Sequence, residues 1–107
     1  MKYTVKIDPL AQEDMKEIFL YVAVNDSFDM ANKLLDKIEE TCHKLEKHPT
    51  RGHIPEELRR TGIKRYLEIH YKPYRIIYEI KKVKIYIHSV LDGRRNIQEI
   101  LSERILR

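Results

Sequence analysis

The chain of 107 residues predicts a single α+β domain of order β-α-α-β-β-β-α, with helices packed on an antiparallel sheet. Three observations predict it. Two consecutive segments between Pro9 and Lys47 carry apolar residues at helical spacing. Three alternating segments between Lys64 and Val90 are separated by two-residue turns. Asp8-Pro9 and Asp92-Gly93 punctuate the two ends of this pattern.

The first element is a short strand from Tyr3 to Asp8, with Tyr3, Val5 and Ile7 on one face. Met1 to Val5 reads as this strand and not as a signal peptide. Asp8 then supplies an N-cap and Pro9 the first helical position. Leu10, Met15, Ile18, Phe19 and Val22 form the apolar stripe of that helix, and Asn25-Asp26 ends it. Ser27 caps a second helix running to about Lys47, with Ala31, Leu34, Leu35, Ile38, Cys42 and Leu45 as its buried stripe. The two form an αα-hairpin.

Pro49, Gly52, Pro55 and Gly62 then mark a connector, with one helical turn expected between Pro55 and Arg60. Strands follow at Lys64–Tyr71, Tyr74–Lys81 and Lys84–Val90, and a final helix at Arg94–Arg107. With Lys72-Pro73 and Lys82-Val83 as two-residue turns, His70 lies opposite Arg75, Glu79 opposite Tyr86 and Ile77 opposite His88. One sheet face is then almost wholly apolar. The other carries Tyr66, Glu68, His70, Arg75, Glu79, Tyr86 and His88, with Ile77 and Val90 as apolar exceptions, and is expected to face water.

Charge divides the chain. Residues 1–50 hold 7 Lys/Arg against 10 Asp/Glu, whereas residues 51–107 hold 14 against 7. A basic C-terminal half suits a polyanion or an acidic partner; an unevenly charged surface without a partner is the plainer reading. No apolar run reaches the length of a membrane span, and the lone Cys42 has no disulfide partner within the chain. A cytoplasmic protein with no membrane association is therefore expected. No Gly-rich phosphate loop appears, and His43, His48 and Cys42 are not arranged as ligands, so neither cofactor nor metal is expected.

Four stretches carry a family resemblance. They are the strand and αα-hairpin with its Asp-Pro entry, the connector His48-Pro49-Thr50-Arg51-Gly52-His53-Ile54-Pro55-Glu56-Glu57-Leu58, the strand Tyr74-Arg75-Ile76-Ile77-Tyr78-Glu79-Ile80, and Val90-Leu91-Asp92-Gly93-Arg94-Arg95-Asn96. In this order they resemble the RelE/ParE superfamily, the toxins of type II toxin–antitoxin modules. The resemblance implies a cognate antitoxin, a toxin–antitoxin hetero-oligomer and a part in plasmid stabilization. For RelE-like members it implies a ribosome-dependent endoribonuclease that cuts mRNA and inhibits translation, and Arg75 with the basic C-terminal half makes this the leading expectation for the chain. For ParE-like members it implies inhibition of DNA gyrase by binding, without catalysis.

The nuclease reading assigns roles by position. Cleavage through the 2′-hydroxyl needs a base, cations for the phosphorane charge and an acid for the leaving oxygen, and no metal. Arg75 would clamp the phosphate; the structural alternative is an ion pair with Glu79 or Glu68. Glu56, or Glu57 in its place, would be the base, or else only a capping carboxylate. His70 would move protons. Arg94 and Arg95 would stabilise charge, or dock an acidic antitoxin segment. Lys81, Lys82, Lys84, Tyr86 and Arg65 would contact RNA, the tyrosine by stacking. The resemblance also implies, after the last strand, an Arg and a Tyr in RelE-like nucleases and a His and a Tyr in YoeB-like ones; Arg94 and Arg95 would supply the cation here, and no Tyr or His follows Asp92.

Overall fold

The computed structural model describes residues 2–106. Strand β1 (Thr4–Ile7) leads into helices α1 (Pro9–Asn25) and α2 (Phe28–His43). Strands β2 (Tyr66–Tyr71), β3 (Tyr74–Lys81) and β4 (Lys84–Asp92) follow, and α3 (Ile97–Leu101) closes the chain in a wider turn over Ser102–Leu106. The predicted class and element order hold. The sheet runs β1-β4-β3-β2. Within it β1 joins β4 in parallel, because the αα-hairpin carries the chain across one face before the meander begins.

Local signals explain the elements. Pro9 occupies the first turn of α1, whereas the Asp8 side chain makes no cap bond. Ser27 accepts the Met30 amide at 3.0 Å and starts α2 as expected. This helix stops at His43, and Lys44–Glu46 tightens into a 3₁₀ turn that buries Leu45. The turn expected in the connector is a 3₁₀ segment at Glu56–Leu58. The final helix begins three residues later than expected, after Asn96 caps it by accepting the Glu99 amide.

The strand register departs from the sequence reading at one place. His70 faces Arg75 and Glu79 faces Tyr86, as the turns predict. Ile77, however, pairs with Ser89 and not with His88, because β4 shifts register between the partners of Ile77 and Tyr78. One extra residue reverses parity beyond it. Val90 thus joins the helix-facing core with Ile76, Tyr78, Ile85 and Ile87, and Leu91 turns to the opposite face.

The shift is anchored from outside the sheet. Asp14 on α1, only 6% exposed, accepts the Val90 amide at 2.9 Å. Arg104 grips both oxygens of the same carboxylate at 2.8 Å and also reaches Ser89 Oγ at 3.0 Å. A charged pair at this depth holds because its hydrogen bonds are met.

The second face is not left to water. Leu58 from the connector and Ile97 and Leu101 from α3 close over Ile77, Leu91 and Tyr66, forming a second core. Each fully buried aliphatic side chain here contributes about 2 kcal/mol. The apolar stripe of the last helix is thus a lid on this face, with Ile100 and Ile105 packed at its margin. The wet face expected from parity alone is reduced to a strip at the Tyr71–Arg75 end of the sheet and another at the β3–β4 hairpin.

Gly52 fixes how the connector crosses the sheet. A Cβ there would lie 2.7 Å from both the Glu68 carbonyl oxygen and the Tyr78 hydroxyl. That hydroxyl accepts the Gly52 amide at 3.1 Å and donates to the Pro49 carbonyl at 2.7 Å. Replacing Gly52 by alanine is expected to destabilise the fold by about 2 kcal/mol. At the β3–β4 turn Lys82 adopts φ 58, a conformation costly for a residue with a Cβ. Lys82→Gly is expected to stabilise by roughly 0.5–1 kcal/mol. Thermal denaturation tests both; a melting temperature unchanged by the first or lowered by the second would refute the respective reading.

Candidate functional site

Arg75 leaves β3 on the face that the connector crosses. Its Nε donates to Glu68 Oε2 at 2.9 Å, and its Nη2 to Glu68 Oε1 at 2.6 Å. Its Nη1 and Nη2 donate to the two oxygens of Glu57 at 2.9 and 2.6 Å. Four of the five guanidinium N–H groups are thus committed to protein carboxylates. Of the two structural partners considered for Arg75, Glu68 is the one it meets, and Glu57 is added to it. Glu79 pairs instead with Arg65 at 3.5 Å and Lys81 at 3.8 Å.

Each partner is positioned by its element. Glu68 sits on β2 with its side chain 3% exposed. Glu57 reaches Arg75 from the 3₁₀ turn whose Leu58 is pinned in the second core. Gly93 presses on the aliphatic stem: a Cβ there would lie 3.2 Å from Arg75 Cδ and 2.8 Å from the Pro73 carbonyl oxygen. The hydrogen bonds from Arg75 hold the Glu57 carboxyl below the usual value of 4.5.

The remaining candidate residues are dispersed. Glu56 is 78% exposed and pairs with Arg59 at 3.1 Å, so Glu57, its neighbour, is the connector carboxylate that meets Arg75. His70 hydrogen-bonds through Nε2 to Glu68 Oε2 and so adjoins the cluster. Arg94 folds back on Asp92, with Nε to Oδ1 at 2.9 Å and Nη2 to Oδ2 at 2.6 Å. Arg95 lines a cavity of about 360 Å³ with Asp14, Glu17, Tyr21 and Tyr74, on the helix side of the sheet and away from the Arg75 face. Lys81, Lys82 and Lys84 occupy the other end of the β3–β4 hairpin, roughly 20 Å along the strand from Arg75, and Tyr86 lies nearer, opposite Glu79. There the Lys81 ammonium lies 5.6 Å from the Tyr86 ring, and Arg65 stacks 4.9 Å over Tyr66.

Two groupings were not legible in the chain. His53 is brought beside Glu68 and His70 by a backbone bridge between the connector and β2. Asp14, Ser89 and Arg104 meet across elements up to 90 residues apart in sequence. Next to this second group, burial and then the Arg104 charge push His88 below its ordinary 6.5. Burial also pushes the Cys42 thiol up to about 12, which leaves it unreactive.

The ion cluster makes a measurable claim. Replacing Arg75 by alanine strands a buried Glu68 carboxylate and is expected to cost about 3 kcal/mol in urea unfolding; an undiminished stability would show that the pairs contribute nothing. The pH dependence follows from the two shifted groups. The unfolded chain binds a proton at His88 below pH 6.5 that the folded chain resists, so stability begins to fall there as pH drops. Glu57 adds a second loss below its ordinary 4.5, as pH falls through the depressed folded value. His88→Phe is expected to remove the first descent and Glu57→Gln to shallow the second. A stability profile flat between about pH 7 and 5 would contradict the first, and one flat from about pH 4.5 down to the acid transition would contradict the second.

Against known proteins, the family described as "ParE toxin of type II toxin-antitoxin system, parDE" matches residues 5–97. Toxin ParE3 of Caulobacter vibrioides is 28% identical over 91 residues, covering 85% of this chain and 87% of that protein. Among solved structures, the chromosomal ParDE system of P. aeruginosa superposes with a TM-score of 0.69 at 18% identity, covering 83% of this chain and 94% of the other. The RelBE2 toxin–antitoxin complex of Mycobacterium tuberculosis gives 0.62 at 22% identity, covering 84% and 96%. A mutant of the E. coli toxin RelE in the free state gives 0.63 at 16% identity, covering 100% and 98%. The structural likenesses establish the fold, and the match over residues 5–97 establishes the lineage: the chain belongs to the ParE toxin family of type II toxin–antitoxin systems, within the RelE/ParE superfamily.

Proposed function

We propose that this toxin acts by binding its target and not by cutting RNA, with DNA gyrase as the target and a cognate antitoxin as its partner. The observation that carries this reading is the saturation of Arg75. A phosphate clamp needs open donors and a positive local field. Here Glu57 and Glu68 take four of the five donors and leave the cluster with a net charge of −1 when the histidines are neutral. An incoming phosphate would meet two carboxylates before it met a free N–H.

Further support comes from the dispersion of the other cations. Arg94 is neutralised by Asp92, Arg95 lies on the other face, and the lysines stand at the far end of the hairpin. Arg75 on this reading is a strut that ties the connector to the sheet, and the basic C-terminal half serves association. The likeness to ParE3 agrees with this branch.

The purified toxin should be assayed side by side for inhibition of gyrase supercoiling and for cleavage of ribosome-bound mRNA. Blocked supercoiling with intact mRNA is expected. Codon-phased cuts that disappear in the folded Arg75→Lys variant would overturn the proposal in favour of the endoribonuclease.

A further inference from the structure

We infer that His53, Glu68 and His70 form a binding site for a borderline divalent cation of the zinc type. The ligating atoms of the three side chains all lie within 4.8 Å of one another. His53 Nε2 stands 3.9 Å from Glu68 Oε2, and His70 Nε2 touches the same oxygen. The two imidazoles meet edge to face, with centroids 5.6 Å apart. Side-chain rotations that even out these separations would bring both nitrogens and the carboxylate oxygen onto one centre.

The donor set selects the ion. Two neutral imidazoles and one carboxylate suit zinc, cobalt or nickel, whereas magnesium and calcium favour oxygen alone. A two-histidine, one-carboxylate set leaves coordination positions for water, and the exposed imidazole edges give an entry path.

The scaffold around these ligands is fixed. Glu68 is almost wholly buried beneath the two rings, and Arg75 holds both its oxygens from behind, as an outer-shell donor orients a ligating carboxylate. His53 is locked to Glu68 by reciprocal backbone bonds, His53 N to Glu68 O at 3.1 Å and Glu68 N to His53 O at 2.7 Å. His70 follows Glu68 by two residues on the same face of β2. Charge agrees as well. Arg75 would repel a cation, but Glu57 offsets it, so the dication enters a region of net negative charge. Bound metal would join the connector directly to β2. The inference does not depend on which target the toxin attacks, because its readouts are metal binding and stability.

The test uses the full chain, free of any histidine tag. Titration with Zn²⁺ by calorimetry should give one ion per chain, and Co²⁺ should give visible d–d absorption. The melting temperature should rise with Zn²⁺ concentration and not respond to equimolar Mg²⁺. Both histidines are half-exposed or more, so His53→Ala and His70→Ala should fold, checked by far-UV circular dichroism, and each should weaken binding at least tenfold. His43→Ala, which removes the separate His43–Glu46 pair, should bind as the wild type does. Absence of Zn²⁺ binding by the wild type, binding that survives in the His53/His70 double variant, or binding lost in His43→Ala would each overturn the inference.

Discussion

The pairing of Arg75 with two carboxylates is the constraint around which this half of the molecule is arranged. A guanidinium cannot shed its charge, so a strand that carries one toward a covered face must surround it with anions. Glu68 is supplied by the neighbouring strand, two residues from the position directly opposite. Glu57 has to be brought from the connector, and that requires the connector to lie flat on the sheet. Gly52, with no room for a side chain, and the Tyr78 hydroxyl, which bonds Pro49 and Gly52, hold it there. Leu58 then anchors the far end of the 3₁₀ turn in the second core. The irregular segment between the helices and the sheet is therefore as determined as any strand.

A second constraint is the register shift in β4. Without it, the residues after His88 would keep their parity, Val90 would leave the main core and Leu91 would enter it. The shift leaves backbone polar groups to be satisfied, and Asp14 supplies the acceptor from the opposite layer. Arg104 offsets the resulting buried charge and fixes the end of the chain at the same point. One irregularity in a strand thus dictates the choice of a buried acid in α1 and a partly buried base after α3.

Much of this architecture is legible in the sequence because it rests on local signals. The helices announce themselves by period and by Pro9 and Ser27. The hairpins follow from Lys72-Pro73 and Lys82-Val83, and with them the placement of His70 opposite Arg75. The bulge is not legible, because no glycine or proline marks it and its warrant lies in Asp14, far away in the chain. The second core is missed for a related reason: Ile77, Tyr66 and Leu91 read as exceptions on a polar face until α3 is known to cover them. Within the site, residue chemistry was legible and partnership was not. Glu56 and Glu57 are adjacent in sequence and point to different arginines, a distinction that only the winding of a 3₁₀ turn decides.

The same distinction bears on how one fold serves different activities. An arginine on this strand is compatible with phosphate binding or with a structural pair, and its strand position does not separate the two. What separates them is the carboxylate inventory around it. An arginine with one partner keeps donors for a ligand, whereas one gripped by two has four of its five donors taken and its field reversed. In this chain the second partner, Glu57, comes from a connector whose path is set by steric exclusion at Gly52 and by burial of Leu58. On the reading proposed above, target choice in such a toxin is coupled to packing at positions that touch no substrate. A change in the connector that withdrew Glu57 would reopen the guanidinium without altering the strand that bears it.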